Sequence, residues 1–131
     1  MFKTVLFPVD QSRASLEAAE TVTHVVEKYA SRLIVLSVLE HPPEDAPAPI
    51  ADHETIAQLL QNVKNLFSQK GITAEVIERE GVPAFTICDV ADEVEADLII
   101  MGCRGLGLTE ENESVTSKVI NLSPCAVLIV P

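Results

Sequence analysis

Short apolar runs are the feature of this chain that most restricts its fold. They lie at residues 5–9, 33–39, 98–101 and 126–130. A strand that is apolar at nearly every position is buried on both faces, as in parallel sheets that carry helices on each side. These runs therefore predict the strands of a buried parallel sheet.

Helical periodicity fills the segments between the runs. The residues predicted to form the buried faces of three helices are Leu16, Ala19, Val22, Val26 and Tyr29; Ile56, Leu59, Leu60, Val63, Leu66 and Phe67; and Phe85, Ile87, Cys88, Ala91 and Val94. A short fourth helix is expected over 114–122 with Ser114 as its cap, and an edge strand over 72–78. The order β-α-β-α-β-α-β-α-β predicts one α/β domain over residues 1–131, an open parallel sheet with helices on both faces.

The charges and cysteines exclude several classes of partner. Nine Lys and Arg against 20 Asp and Glu give a formal net charge of −11, which disfavours nucleic acid and anionic membrane surfaces. No apolar run approaches the roughly 20 residues of a membrane span, and the first residues are too quickly polar for a signal peptide. Three cysteines without CxxC spacing indicate neither a disulfide framework nor a metal site. We therefore expect a cytoplasmic protein.

Two segments are candidates for a ligand site because ligands of open parallel sheets bind beyond the carboxyl ends of strands. One is residues 8–12, which follow the first apolar run and include Asp10. The other is the glycine-rich segment 101–107, which follows the fourth strand. Glycines let backbone N–H groups approach an anion, but they also serve simply to turn the chain. Both interpretations stay open on the glycines alone.

Four segments in order along the chain resemble the universal stress protein family. They read VLFPVDQS, LIVLSVLE, ADLIIMGCRGLG and SPCAVLIVP, and together they cover essentially the whole chain. The resemblance implies a five-stranded parallel sheet of order 3-2-1-4-5, a cytoplasmic homodimer and a role in stress tolerance. Because the last strand, Ala126–Val130, would then be an apolar strand at a sheet edge, we expect the homodimer to form through it.

The resemblance also implies a nucleotide site, since some members of the family bind ATP. Asp10 would hold the adenine or ribose, and the Val38 backbone would face the base. Gly102, Gly105 and the start of the helix at 114 would face ribose and phosphates. The tentative site residues are Asp10, Val38, Met101, Gly102, Gly105, Ser114 and Val115. No residue is assigned a catalytic or metal-binding role.

The loop departs from the pattern of the ATP binders, which is Gly-x2-Gly-x9-Gly followed by Ser or Thr. Glu113 replaces the last glycine, and the segment between Gly105 and Glu113 is two residues short. Each solvated carboxylate beside a phosphate costs on the order of 1 kcal/mol, and Glu110 and Glu111 lie close by in sequence. The same acidic residues are also favourable at a helix start. The cofactor alternatives are therefore ATP or AMP with Mg²⁺, or none.

Three functions remain open on the sequence. The first is a homodimeric stress-response or signalling module that binds an adenine nucleotide weakly. The second is a nucleotide-independent dimer that acts by protein contact, and the third is a slow ATP hydrolase or phosphotransferase. His24, His41 and His53 are expected at the surface, and Cys103 is either a space-filling residue or a reactive thiol. No arrangement of residues supports a named enzyme class.

Overall fold

Nine elements alternate along the chain in the predicted order. The computed structural model describes residues 1–40, 52–103 and 110–131, with the side chains of 110–114 excluded. The elements are β1 (Thr4–Pro8), α1 (Arg13–Tyr29), β2 (Arg32–Leu39), α2 (His53–Ser68), β3 (Ala74–Glu80), α3 (Pro83–Glu93), β4 (Leu98–Gly102), α4 (Glu110–Leu122) and β5 (Ala126–Val130). No helix in these described ranges is long and apolar enough to cross a membrane.

The strands form one parallel sheet of order β3-β2-β1-β4-β5, which confirms the expected topology. The chain winds outward from β1 to β3, then returns to β4 on the other side of β1. This reversal places the carboxyl ends of β1 and β4 side by side, with Leu6 paired to Ile99. A crevice at that point is the usual ligand position in such sheets.

Alternate residues of each central strand enter two separate cores. Val5 and Phe7 face α1 and α2, where Phe7 packs edge-on against Phe67 of α2 with ring centroids 6.1 Å apart. Leu6 faces α3 and α4 on the opposite side, together with Ile99 of β4. The uninterrupted apolar runs are thus explained by burial on both faces of the sheet.

Three residues predicted to be buried on helices are exposed instead. Leu16 is 56 % exposed, Phe85 is 53 % exposed and Tyr29 is 36 % exposed. In α1 the buried face is formed by Ala18, Ala19, Val22 and Val26, together with Ser15 and Thr23. The predicted helical spacing and most of the predicted buried residues are confirmed, but these three residues lie outside the buried faces of α1 and α3.

Two predicted boundaries are wrong. Helix α4 begins at Glu110, so Ser114 lies in its second turn and does not cap it. Acidic residues are favourable in the first turn of a helix, which explains the earlier start. The edge strand covers 74–80 rather than 72–78, because Ile72 is still bonded through its N–H to the carbonyl of Phe67 at the end of α2.

Candidate functional site

A cavity of about 180 Å³ lies at the carboxyl ends of β1, β2 and β4, beside the first turns of α1 and α3. Of the predicted site residues, five line it together: Asp10, Val38, Met101, Gly102 and Val115. Gly105 and the side chain of Ser114 lie outside the described part of the chain. The other residues that line the cavity are Pro8, Val9, Ser12, Ala14, Ser15, Leu36, Glu40, Pro83, Ile87, Cys103 and Thr116.

The inner wall of the cavity is apolar. Val9, Leu36, Ile87 and Met101 are each less than a tenth exposed and come from four different elements or their ends. A flat apolar group, such as a nucleobase, can bury its faces against such a wall without leaving protein polar groups unpaired. The inner wall of the cavity therefore suits the base of a nucleotide better than its phosphates.

Asp10 is held in place by the start of α1. Its Oδ1 accepts hydrogen bonds from the Ser12 N–H at 2.8 Å and from the Ser15 hydroxyl at 3.0 Å. The Ser15 Oγ in turn accepts from the Asp10 N–H at 3.0 Å, while Ser12 caps α1 as predicted. Among the described residues no group donates to Oδ2, so that oxygen can accept from a ligand.

Val38 turns its backbone toward the cavity. The ladder between β1 and β2 ends at Pro8 and Leu36, followed by one bond from the Val9 N–H to the Leu36 carbonyl at 2.8 Å. The N–H and C=O groups of successive strand residues point to alternate sides of the strand. Those of Val38 therefore point to the same side as those of Leu36, toward β1, but β1 has already ended at that level. Its N–H and C=O are thus placed as a donor and acceptor pair for the edge of a base.

Gly102 serves close packing at the end of β4. A Cβ at this position would lie 3.0 Å from the carbonyl oxygen of Ala14 in the first turn of α1. Real Cβ atoms avoid such contact, so a larger residue would push α1 away from the strand. The glycine that the sequence suggested for phosphate approach therefore also allows β4 and α1 to lie close together.

The second turn of α4 borders the cavity through Val115 and Thr116. The first four N–H groups of a helix have no intrahelical partner, and in α4 these belong to residues 110–113. The Ser114 N–H lies beyond them, so any anion at this helix start would meet the backbone of the acidic residues.

The described lining of the cavity is acidic. It contains the carboxylates of Asp10 and Glu40, and none of these lining residues is Lys or Arg. In the described ranges no three His, Cys, Asp or Glu side chains are grouped so that they could hold a metal ion. The electrostatics of this part of the cavity therefore favour a neutral nucleoside over its phosphates.

Sequence reasoning missed Glu40, Ser15 and Thr116. Glu40 directly follows β2. Because the carboxyl ends of parallel strands lie at the same edge of the sheet, Glu40 could have been predicted at the site. Ser15 lies in the first turn of α1, where its hydroxyl reaches back to Asp10 before the helix. Thr116 was missed because α4 was expected to begin at Ser114.

The remaining candidates agree with packing or surface roles. Cys88 is buried and Cys125 half-buried, and burial raises the pKa of both thiols. Cys103 is half-buried at the cavity rim. His24 is exposed, and His53 lies 3.2 Å from Glu78 at the surface. His41 lies outside the described residues.

Comparison with known sequences gives a match along the whole chain. The model of the universal stress protein family matches residues 1–131. The chain is 58% identical to universal stress protein Sll1654 of Synechocystis sp., with 100% of this chain and 87% of that protein covered. It is 31% identical to universal stress protein YxiE of Bacillus subtilis, with 99% of each covered.

Solved structures resemble the fold closely. A universal stress protein crystallised in complex with cAMP has a TM-score of 0.80 and 26% identity, with 99% of this chain and 97% of that one covered. The protein MJ0577 has a TM-score of 0.81 and 25% identity, with 99% and 96% covered. Both similarities extend over every element of the sheet and its helices.

Proposed function

Because the chain belongs to the universal stress protein family, we propose that it is a cytoplasmic stress-response module that binds the nucleoside end of an adenine nucleotide. The observation that carries the proposal is the cavity in which the Oδ2 of Asp10, which accepts no bond from the described residues, and the Val38 backbone flank an apolar wall. The relative crystallised with cAMP supports an adenine ligand. The three free thiols support a reducing compartment.

Each part of an adenosine has a counterpart in the cavity. The base lies between Val9 and Ile87, with its edge bonded to the backbone of Val38. A ribose hydroxyl donates to the Oδ2 of Asp10, which the Ser12 and Ser15 bonds keep in a fixed orientation. A hydrogen bond to a charged acceptor contributes about 1.5–3 kcal/mol, so this contact accounts for much of a weak affinity.

The phosphates extend toward the start of α4 and gain little there. The carboxylates of Asp10 and Glu40 repel them, and the N–H groups at that helix start belong to a segment rich in glutamate. Mg²⁺ screens this repulsion for ATP more than for AMP, because ATP carries more charge. We therefore expect adenosine and AMP to bind about as well as ATP when no metal is added.

A thermal-shift screen tests the nucleotide proposal. Adenosine, AMP, cAMP and ATP, each with and without Mg²⁺, are compared with the matched guanine compounds. We expect the adenine compounds to raise the melting temperature by mass action and the guanine compounds to leave it unchanged. If no adenine compound has an effect at millimolar concentration, the chain is instead a nucleotide-independent member that acts by protein contact.

We propose further that the module is a homodimer in which two copies of β5 meet around a two-fold axis. β5 is an edge strand, and its residues Leu128 and Val130 face the α1 layer, where Leu128 remains 37 % exposed. An apolar edge of this kind invites pairing with a second chain. By contrast, the other edge strand, β3, is interrupted by charged residues such as Glu75 and Arg79.

Sedimentation velocity at micromolar concentration tests the homodimer with a matched pair of variants. Leu128→Lys places a charge in the proposed interface and is expected to yield monomers. Val76→Lys is the control, because Val76 is equally exposed, at 37 %, but lies on the opposite edge of the sheet. A monomeric unmodified protein, or equal effects of the two variants, would refute the proposed interface.

A further inference from the structure

The two layers of helices differ in how closely their members pack. On one face α3 and α4 contact each other directly. On the other face α1 packs over β4 and β1, and α2 packs over β3 and β2, so the two helices diverge. The gap between them is a groove of about 480 Å³, separate from the nucleotide cavity and sharing no lining residue with it.

The bottom and one end of this groove are apolar. Leu16 is 56 % exposed at one end, Leu66 of α2 is half-buried, and Ala19 lies at the base. Thr23 also lines the groove, but its hydroxyl already donates a hydrogen bond to the Ala19 carbonyl at 2.9 Å. This donor is therefore not left unsatisfied when a partner covers it. Leu16, Ala19 and Leu66 are thus an apolar strip within a lining that is otherwise polar or charged.

The rim along α1 is acidic. Glu17, Glu20 and Glu27 line the groove on one helix face, and in the described part of the chain none of them forms an ion pair. Lys70, near the end of α2, and His24 of α1 also line the groove. Charge complementarity thus requires a partner that is apolar on one side and carries lysines or arginines beside it.

The groove follows α1 over most of its length and is bounded on the other side by Leu66 and Lys70. From Leu16 to Glu27 is eleven residues along α1, a distance of about 16 Å or three turns. A second copy of this chain is a poor occupant, because its own net charge is −11. Nucleic acid and anionic membranes carry the same sign of charge and are repelled as well.

We propose that the groove between α1 and α2 is a docking site for a basic amphipathic helix of a partner protein. Apolar residues of that helix, spaced three or four positions apart, enter between Leu16 and Leu66. Lysines or arginines that flank them pair with the carboxylates of Glu17, Glu20 and Glu27. The proposal concerns a surface that the nucleotide cavity does not use.

Fluorescence anisotropy with a labelled peptide tests the docking site. The probe is a fourteen-residue helical peptide with leucines at three- or four-residue spacing and lysines beside them, titrated with the full chain. The groove variant is Glu17→Gln, Glu20→Gln and Glu27→Gln together. The control variant is Asp89→Asn, Asp92→Asn and Glu95→Gln, which changes the net charge equally at exposed positions on and just after α3.

We expect the unmodified chain and the control variant to bind the peptide with similar affinity, and the groove variant to bind at least about tenfold more weakly. A peptide with glutamine in place of each leucine should also lose binding. Equal losses in both variants, or binding that survives the glutamine peptide, would show charge attraction without a site and overturn the proposal. Absence of binding by the unmodified chain, or groove-dependent self-association in sedimentation, would overturn it too.

Discussion

Replacing Asp10 by asparagine separates its two roles in the structure. The Oδ1 of an asparagine can still accept from the Ser12 N–H and the Ser15 hydroxyl, so the turn into α1 is preserved. What changes is Oδ2, the atom proposed to accept from the ligand, which becomes an NH₂ donor. Asp10→Ala removes both intramolecular bonds as well.

The structure gives a magnitude for each variant. Loss of two partly buried hydrogen bonds in Asp10→Ala should lower the free energy of unfolding by about 1–3 kcal/mol, and Tm by roughly 4 °C per kcal/mol. Asp10→Asn should lose less than about 1 kcal/mol of stability. Its affinity for adenosine should nevertheless fall about tenfold or more, because a bond to a charged acceptor is lost.

Chemical denaturation and calorimetric titration of the two variants measure these effects independently. The reasoning predicts that Asp10→Asn binds adenosine poorly while it unfolds at nearly the same denaturant concentration as the unmodified chain. If Asp10→Asn binds adenosine normally and only Asp10→Ala is impaired, Asp10 merely shapes the start of α1. The assignment of Oδ2 to the ligand would then be wrong.

Three further outcomes are expected. Glu113→Gly should strengthen ATP binding about fivefold in titration calorimetry, the equivalent of roughly 1 kcal/mol for one solvated carboxylate, and an unchanged affinity would contradict the role given to this charge. Gly102→Ala should lower the free energy of unfolding by about 1–3 kcal/mol in urea titration, because its Cβ meets Ala14 at 3.0 Å, and a neutral effect would show that α1 can shift freely. The hydrogen bond from the Thr55 N–H lowers the pKa of Asp52. The stability that this bond gives α2 is therefore present above the ordinary pKa of Asp and is lost as the pH falls through the lowered pKa. Asp52→Asn should flatten this part of the profile of stability against pH, measured by denaturation between pH 2 and about 6.

Most of the fold could be predicted from the sequence because buried strands and helix faces require characteristic patterns of apolar residues. The double-sided burial of β1, β2 and β4 appears as uninterrupted apolar runs, and their alternation with helical segments gives the element order. The order of strands came from the family resemblance and not from the apolar runs. The errors fell on helix faces, where Leu16 and Phe85 are large but exposed, since periodicity does not reveal how close a helix lies to the sheet.

The candidate site was predictable only in outline. The position of Asp10 follows from the end of the first apolar run, whereas Val38 was assigned to the site only through the family resemblance. The reason for Gly102 could not be foreseen, because its close neighbour Ala14 belongs to a different element. The helix start of α4 was also misjudged, since a serine and a run of glutamates both favour helix beginnings and only the structure chooses between them.

The cavity is proposed to hold the nucleoside and to gain little from the phosphates. Titration calorimetry of the unmodified chain with adenosine, AMP and ATP, in the absence of divalent metal, measures the contribution of the phosphates. We expect dissociation constants for the three ligands within about tenfold of one another, with Mg²⁺ improving ATP more than AMP. Tight, metal-independent binding of ATP, about a hundredfold or more stronger than that of adenosine, would contradict it.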